Sequence, residues 1–276
     1  MQIVDAVKHA QKQLVESDSA RLDAEILLCS VLKCERTHLY THPEQALSKV
    51  EINSFNELIV LRTEGHPIAH LIQKKEFWSL ELKVTADTLI PRPETEVLVE
   101  TALSFVPADT ELNILDLGTG SGAIAIAIAS ERPTAKISAT DTSEKALIIA
   151  KQNADSHKIE NIEFKKANWF DKESHRYDII VSNPPYMHDN DPHLMQGDVR
   201  FEPLSALASG NDGLDNLRTI IYESKKYLNN QAWLLVEHGY NQGEQVKLLF
   251  IENNFTSVST IKDYDENDRV TIGQFI

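Results

Sequence analysis

Cysteine is scarce: two in 276 residues. Cys29 and Cys34 make neither a CxxC motif nor a disulfide framework, and free thiols fit a reducing compartment. Long hydrophobic runs are missing as well. The longest apolar stretches, such as Ile124 to Ala129, are far too short to span a bilayer. No secretory signal is expected at the start, because Asp5, Lys8 and His9 interrupt the apolar residues between Met1 and Ala10. The ten histidines carry no HEXXH arrangement, so metal binding is not expected. Basic charge is in short supply, with 27 Lys and Arg against 42 Asp and Glu. Residues 1–85 hold 10 basic and 12 acidic side chains, and residues 86–276 hold 17 and 30. A surface that acidic repels phosphate backbones, whose neutralisation by Lys and Arg dominates nucleic-acid affinity. The composition, 42% hydrophobic and 25% charged, excludes a disordered or fibrous chain. What remains is a soluble, cytoplasmic, globular protein, with no membrane contact and no direct DNA binding expected. A monomer is the expected state, which composition does not decide.

Helical spacing dominates the first part. Val4, Val7, Ala10 and Leu14 share a face, Asp23 to Leu32 repeats the pattern, and Phe55 to Arg62 is a third run closed by Gly65 and Pro67. Residues 1–73 read as a helical domain. Two short alternating segments, Glu76 to Leu80 and Glu81 to Thr85, read as a β-hairpin within a linker, 74–86. From about residue 111 strands and helices alternate. Strands are expected at Leu112 to Leu117, Lys136 to Asp141, Asn161 to Lys166, Tyr177 to Ser182 and Trp233 to Glu237. Helices are expected at Ala123 to Ser130, Glu144 to His157, Leu214 to Leu228 and Gly243 to Asn253. Strand-like runs at Phe255 to Ile261 and Arg269 to Phe275 close the chain. Such alternation predicts an α/β domain, 87–276, with a doubly wound, mostly parallel Rossmann-like sheet and one antiparallel strand near the end.

Asp116-Leu-Gly118-Thr119-Gly120-Ser121-Gly122 stands where the first strand of that domain should hand over to its helix. Glycines there permit positive φ and let a ligand approach the backbone. Asp141, 19 residues beyond Gly122, ends the next strand, where a carboxylate can accept two ribose hydroxyls. Gly118, Gly120 and Ala123 also satisfy the dinucleotide fingerprint GxGxxG/A, so a nicotinamide or flavin protein, or a non-catalytic nucleotide binder, stays open on this element alone. A tight turn with no ligand is the plainest alternative. Asp116 favours a ligand bearing an ammonium or sulfonium charge, since a pyrophosphate would be repelled by a carboxylate so close.

Asn183-Pro184-Pro185-Tyr186 follows the fourth strand at its C-terminal edge. Each proline holds the preceding residue in an extended conformation and brings no N–H of its own. The corner therefore offers two fixed acceptors, the Asn183 side-chain oxygen and the Pro184 carbonyl, which suit both hydrogens of a planar NH2 group. Tyr186 can pack its ring over that plane. An amide or aromatic amine nitrogen is a poor nucleophile because its lone pair is delocalised. Acceptors that bind it better as it turns pyramidal and positive stabilise the transition state more than the ground state. A strand-capping turn is the competing reading for these four residues taken alone.

With these two elements the chain resembles the class I S-adenosyl-L-methionine-dependent methyltransferases. More narrowly it resembles the PrmC/HemK family, the release factor glutamine N5-methyltransferases. The resemblance runs through PIAHLI (67–72), EFWSLEL (76–82), LIPRPETE (89–96), DLGTGSG (116–122), SNPPY (182–186), GDVRFEPLSAL (197–207) and NDRVTIG (267–273). It implies methylation of the glutamine amide in the Gly-Gly-Gln motif of class 1 peptide chain release factors, with S-adenosyl-L-methionine as cofactor. By it, Gly118, Thr119, Gly120, Ser121 and Gly122 line the cofactor, Asp141 holds its ribose, and Asn168, Trp169 and Phe170 flank the adenine. Asn183 then touches both methyl donor and acceptor. Asn183, Pro184 and Tyr186 form the catalytic set, and Pro185 completes the glutamine pocket. Many members of that family carry Asp where this chain has Asn168. An adenine-N6 methyltransferase acting on nucleic acid shares the NPPY logic and is the rival reading, disfavoured by the acidic balance.

Other residues have two readings each. Arg92 either helps close the cofactor site or makes a salt bridge at a domain junction. Arg200, Phe201 and Glu202 lie in the long stretch 187–212, read as a substrate-side lid or an ordered insertion. His188 and His193 are expected to be exposed, Cys29 and Cys34 to be buried helix positions, and Trp78 to anchor packing.

Overall fold

The computed structural model describes residues 1–171 and 173–276, which form two compact units. The first comprises Met1–Lys74 together with Gln196–Phe201. Its helices are α1 (Ile3–Gln13), α2 (Ala20–Leu32), α3 (Arg36–Thr41), α4 (Lys49–Thr63) and α5 (Ile68–Ile72). Ile3, Ala10, Leu27, Leu28, Phe55 and Ile59 are central to its core. A capping box starts α4: the Ser48 hydroxyl accepts from the Glu51 amide, and the Glu51 carboxylate accepts from the Ser48 amide. Two carboxylates buried on α2 are fully engaged. Glu25 accepts from Arg21, Arg36 and Tyr40, and Asp23 accepts from Ser17, Ser19 and Arg62. Within this unit Arg62 also reaches Asp198 at 3.3 Å, Arg200 donates to the Glu64 carbonyl at 2.6 Å, and Phe201 packs on His66. Those contacts tie 196–201 to helices far away in sequence, which chain order does not reveal. Cys29 lies in the last turn of α2 and Cys34 just beyond it, both half-buried rather than buried, because Lys33 turns left-handed and ends the helix.

A hairpin follows, β1 (Lys74–Phe77) and β2 (Leu80–Lys83). Its turn is Trp78-Ser79, both at positive φ, two residues earlier than the pattern suggested. The Trp78 ring packs on the core of the second unit and its indole N–H donates to Glu131.

The second unit comprises Lys75–Met195 and Glu202–Ile276. A single 3-10 turn, Pro93–Thr95, leads into α6 (Glu96–Ser104). Then come β3 (Asn113–Leu117), α7 (Ala123–Glu131), β4 (Lys136–Asp141), α8 (Glu144–Ser156), β5 (Ile162–Lys166) and β6 (Tyr177–Ser182). 3-10 turns at Pro192–Met195 and Leu204–Ala206 belong to the stretch after β6, and α9 (Asp215–Ser224), β7 (Leu228–Glu237), α10 (Gly243–Glu252), β8 (Thr256–Lys262) and β9 (Asp268–Gln274) complete the chain. The sequence reading passed over α3, α5 and α6. For α6 the start signals were present: Pro93, then Glu94 and Glu96, ahead of the buried Val97, Leu98, Val99 and Ala102.

The strands order as β5-β4-β3-β6-β7-β9-β8, with β9 antiparallel to both its neighbours and the other pairings parallel. Both faces are covered, so apolar side chains on the central strands point to both sides of the sheet. Ile114, Ile179, Val181 and Leu235 face one core; Leu115, Leu117, Ile180, Leu234 and Val236 face the other. From β3 the chain winds outward through β4 to β5, returns to β6 beside β3, and winds the other way. The switch between β3 and β6 opens a crevice at their C-terminal ends, where open α/β sheets bind ligands.

Candidate active site

The glycine loop leaves β3 and the Asn-Pro-Pro-Tyr corner leaves β6, so both emerge at that switch. The Ser182 hydroxyl donates to the Leu117 carbonyl at 2.8 Å, joining the two strand ends just below. Beyond them, within the second unit, lies a cavity of about 450 Å³, a size suited to a small organic ligand. Gly118, Gly120, Asp141, Asn168, Trp169, Asn183 and Pro185 all line it.

The loop is held from β4. The Thr140 carbonyl accepts from the amides of Gly118 and Thr119, both at 2.9 Å. Gly118, Gly120 and Gly122 all take positive φ, which a side chain would strain. A Cβ on Gly118 would stand 3.5 Å from the Trp169 ring, so this glycine keeps the cavity open between loop and indole. Asp141 accepts the Gly120 amide on Oδ2 at 2.9 Å and the Ser143 amide on Oδ1 at 2.8 Å. Each oxygen keeps further acceptor capacity, which suits a pair of ligand hydroxyls.

Of the other expected ligand residues, Thr119, Ser121, Gly122 and Phe170 are engaged in the interior. The Thr119 hydroxyl donates to Asp116 Oδ2 at 2.6 Å in the interior, and Ser121 is buried with its carbonyl accepting from Asn153. Gly122 serves packing, since a Cβ there would meet Ile126 at 2.9 Å and Ala150 at 3.1 Å. Phe170 sits in the core, stacked on Tyr227 at 4.8 Å. Pro184 is buried, and Tyr186 packs against the core while its carbonyl accepts from Gln242 Nε2 at 2.9 Å.

Two acids beside the crevice are fully buried. Burial pushes Asp116 up to about 7 against the opposing Thr119 hydroxyl, and its Oδ1 has no hydrogen-bond partner. Burial likewise pushes Glu237, at the end of β7, up to about 7. Sequence reasoning missed Glu237 and Thr95. The register that would have pointed to the acid, Ser182 opposite Val236, exists only once β6 and β7 pair.

Arg92 pairs with the buried carboxylate of Glu202, whose other oxygen accepts the Ile90 amide at 2.9 Å, so this ion pair fastens the strap before α6 to the stretch after β6. Pro203, Ser205 and Ala206 from that stretch line the cavity. His193 is exposed and bonded to Asp191, and His188 stands 3.6 Å from the same acid. His38 and His42 lie four residues apart with their rings stacked, a spacing the expectation of no metal had passed over. Among the described residues no group of three His, Cys, Asp or Glu side chains could hold a metal ion.

Residues 94–198 match the methyltransferase small domain family and residues 5–72 the PrmC N-terminal domain family. The release factor glutamine methyltransferase of Aliivibrio fischeri is 49% identical, over 94% of this chain and 92% of its own. This chain belongs to the release factor glutamine methyltransferase family. The Escherichia coli K12 member is 45% identical, over 98% of this chain and 97% of its own. A crystal structure of a Pyrococcus furiosus methyltransferase, 17% identical, matches the fold with a TM-score of 0.55 over 80% of this chain and 98% of that one. As a member of the family the chain is a methyltransferase. Among the described residues no helix is long and apolar enough to cross a membrane.

Proposed function

We propose that this enzyme transfers a methyl group from S-adenosyl-L-methionine to the side-chain amide nitrogen of the Gly-Gly-Gln glutamine in class 1 peptide chain release factors, in the cytoplasm and as a monomer. The observation that carries this reading is that Asn183 and Pro185 line the same cavity as Gly118, Gly120 and Asp141. A corner built to grip an NH2 group and a loop built to hold a nucleoside thus face one space.

The cavity fits the cofactor. Asp141 has acceptor capacity for the ribose hydroxyls, Gly118 and Trp169 bound a slot for a flat base, and Asn168 offers its amide to the base edge. Bound there, the cofactor supplies a methyl carbon on a positively charged sulfur.

The chain's own residues do the rest. Asn183 Nδ2 donates to the Thr95 hydroxyl at 3.2 Å, which leaves Oδ1 to accept from the substrate amide. The Pro184 carbonyl accepts the second N–H of that amide, because a proline neighbour cannot compete for it. These acceptors strengthen as the amide nitrogen becomes pyramidal and acidic, and its proton passes to Asn183 Oδ1 or water without a strong base. Positioning alone is worth as much as ~7–11 kcal/mol in well-oriented reactions. Residues 1–73, nearly neutral, supply the surface that recognises the release factor, and 74–86 links them to the catalytic domain 87–276.

The test is a methyl-transfer assay with labelled S-adenosyl-L-methionine on purified release factor and, separately, on DNA. Label should appear on the factor, at its Gly-Gly-Gln glutamine, and not on DNA. Labelled adenine, or no label on the factor, would overturn the reading.

A further inference from the structure

We propose that Thr95, held in turn by Glu237, is a positioning residue that decides which way round the Asn183 carboxamide sits. The inference rests on the reading of Asn183 as the group that grips the acceptor amide.

A carboxamide has two ends of nearly equal shape and opposite hydrogen-bonding sense. With the oxygen facing the cavity, Asn183 accepts from a substrate NH2. Turned over, it would set one NH2 against another and bind nothing. In the structure Asn183 Nδ2 points at Thr95 Oγ1, 3.2 Å away. A hydroxyl alone settles nothing, because it can accept or donate. Ionised, Glu237 removes that freedom, since a carboxylate beside the Thr95 hydroxyl can only accept its hydrogen and leaves the Thr95 oxygen its lone pairs to offer. The Asn183 amide must then present its NH2 to Thr95 and its oxygen to the opposite side.

The fold builds this relay from three elements. Ser182 lies opposite Val236 in the parallel pair β6–β7, so the next residues, Asn183 and Glu237, end adjacent strands. Thr95 comes from the 3-10 turn before α6. Thr95 is 4% exposed and Glu237 1%, so water has little access to substitute for either. Glu237 also keeps Oε2 buried without a partner.

The full-length enzyme is assayed on release factor as Thr95→Val, Thr95→Ser, Asn183→Ala and the Thr95→Val/Asn183→Ala double variant. Thr95→Val should lower kcat at least about ten-fold while the Kd for S-adenosyl-L-methionine stays within about three-fold, and Thr95→Ser should restore most of the turnover. The Thr95→Val and Asn183→Ala losses should be non-additive, because the hydroxyl acts through the amide. A structural role alone would give additive losses and no rescue, which overturns the inference, as does an unchanged kcat in Thr95→Val. If Thr95→Val does not fold, Glu237→Leu is scored by the same criteria against Asn183→Ala. Full turnover in Asn183→Ala would instead bring down the reading of Asn183, and this inference with it.

Discussion

The Gly120 amide donates to Asp141 Oδ2 at 2.9 Å, so the tip of the glycine loop is tied to the carboxylate that ends the neighbouring strand. One acid thereby shapes the loop and offers acceptors to a ligand lying on it. Asp141→Ala removes both at once. A hydrogen bond to a charged group is worth about 1.5–3 kcal/mol, so the loss of even one should weaken S-adenosyl-L-methionine binding by roughly 10-fold or more. Isothermal titration calorimetry measures this, and an unchanged Kd would contradict the assignment.

Asn183→Ala should leave cofactor binding within a few-fold while lowering kcat about 100-fold or more, as expected for a contact that strengthens in the transition state. Steady-state kinetics with purified release factor separates the two effects. An increase in KM with kcat preserved would mean that Asn183 binds substrate without favouring the transition state.

Gly122→Ala tests packing rather than chemistry. At φ +84 an added Cβ is strained, and it would press on Ile126 and Ala150. A cost of about 1–3 kcal/mol is expected, seen as a lower thermal midpoint. Gly120→Ala meets no neighbouring atom within 4 Å and should lose less, since only its positive φ is strained. Equal midpoints for the two variants would refute the packing argument.

The buried acids set the direction of the pH dependence. Asp116, ordinarily near 3.8, is raised to about 7 by burial, so the folded chain holds its proton where the unfolded chain has lost it. Its contribution to stability is full below pH ~4, declines as the pH rises, and is gone above pH ~7. Denaturant unfolding of the cofactor-free protein at a series of pH values should show that decline. Asp116→Asn should flatten it between pH 5 and 7, leaving the part due to Glu237. An unchanged slope in the variant would place the proton elsewhere.

Much of the architecture was legible because it depends on local pattern. Strand-like runs such as 114–117 and 177–182, alternating with helical stretches, announced a doubly wound parallel sheet, and the cores on its two faces bear that out. Glycines at 118, 120 and 122 and the paired prolines at 184 and 185 carry backbone constraints in their own chemistry, so they marked the crevice before any coordinate did. The misplaced hairpin turn has a local cause. The hairpin turn at Trp78-Ser79 has neither glycine nor asparagine to announce it, and it is stabilised by packing instead.

The amino-acid order by itself determined the element types, the two stretches that converge on the crevice and the family, because propensity, proline and glycine geometry and hydrophobic period act over a few residues. Only the tertiary structure decided which side chains the crevice sees. It turned Thr119, Ser121 and Phe170 inward, joined Gln196–Phe201 to the helical unit, and set Thr95 and Glu237 beside Asn183. Each of those depends on strand register and on contacts between residues distant in the chain, which become defined only when the elements pack.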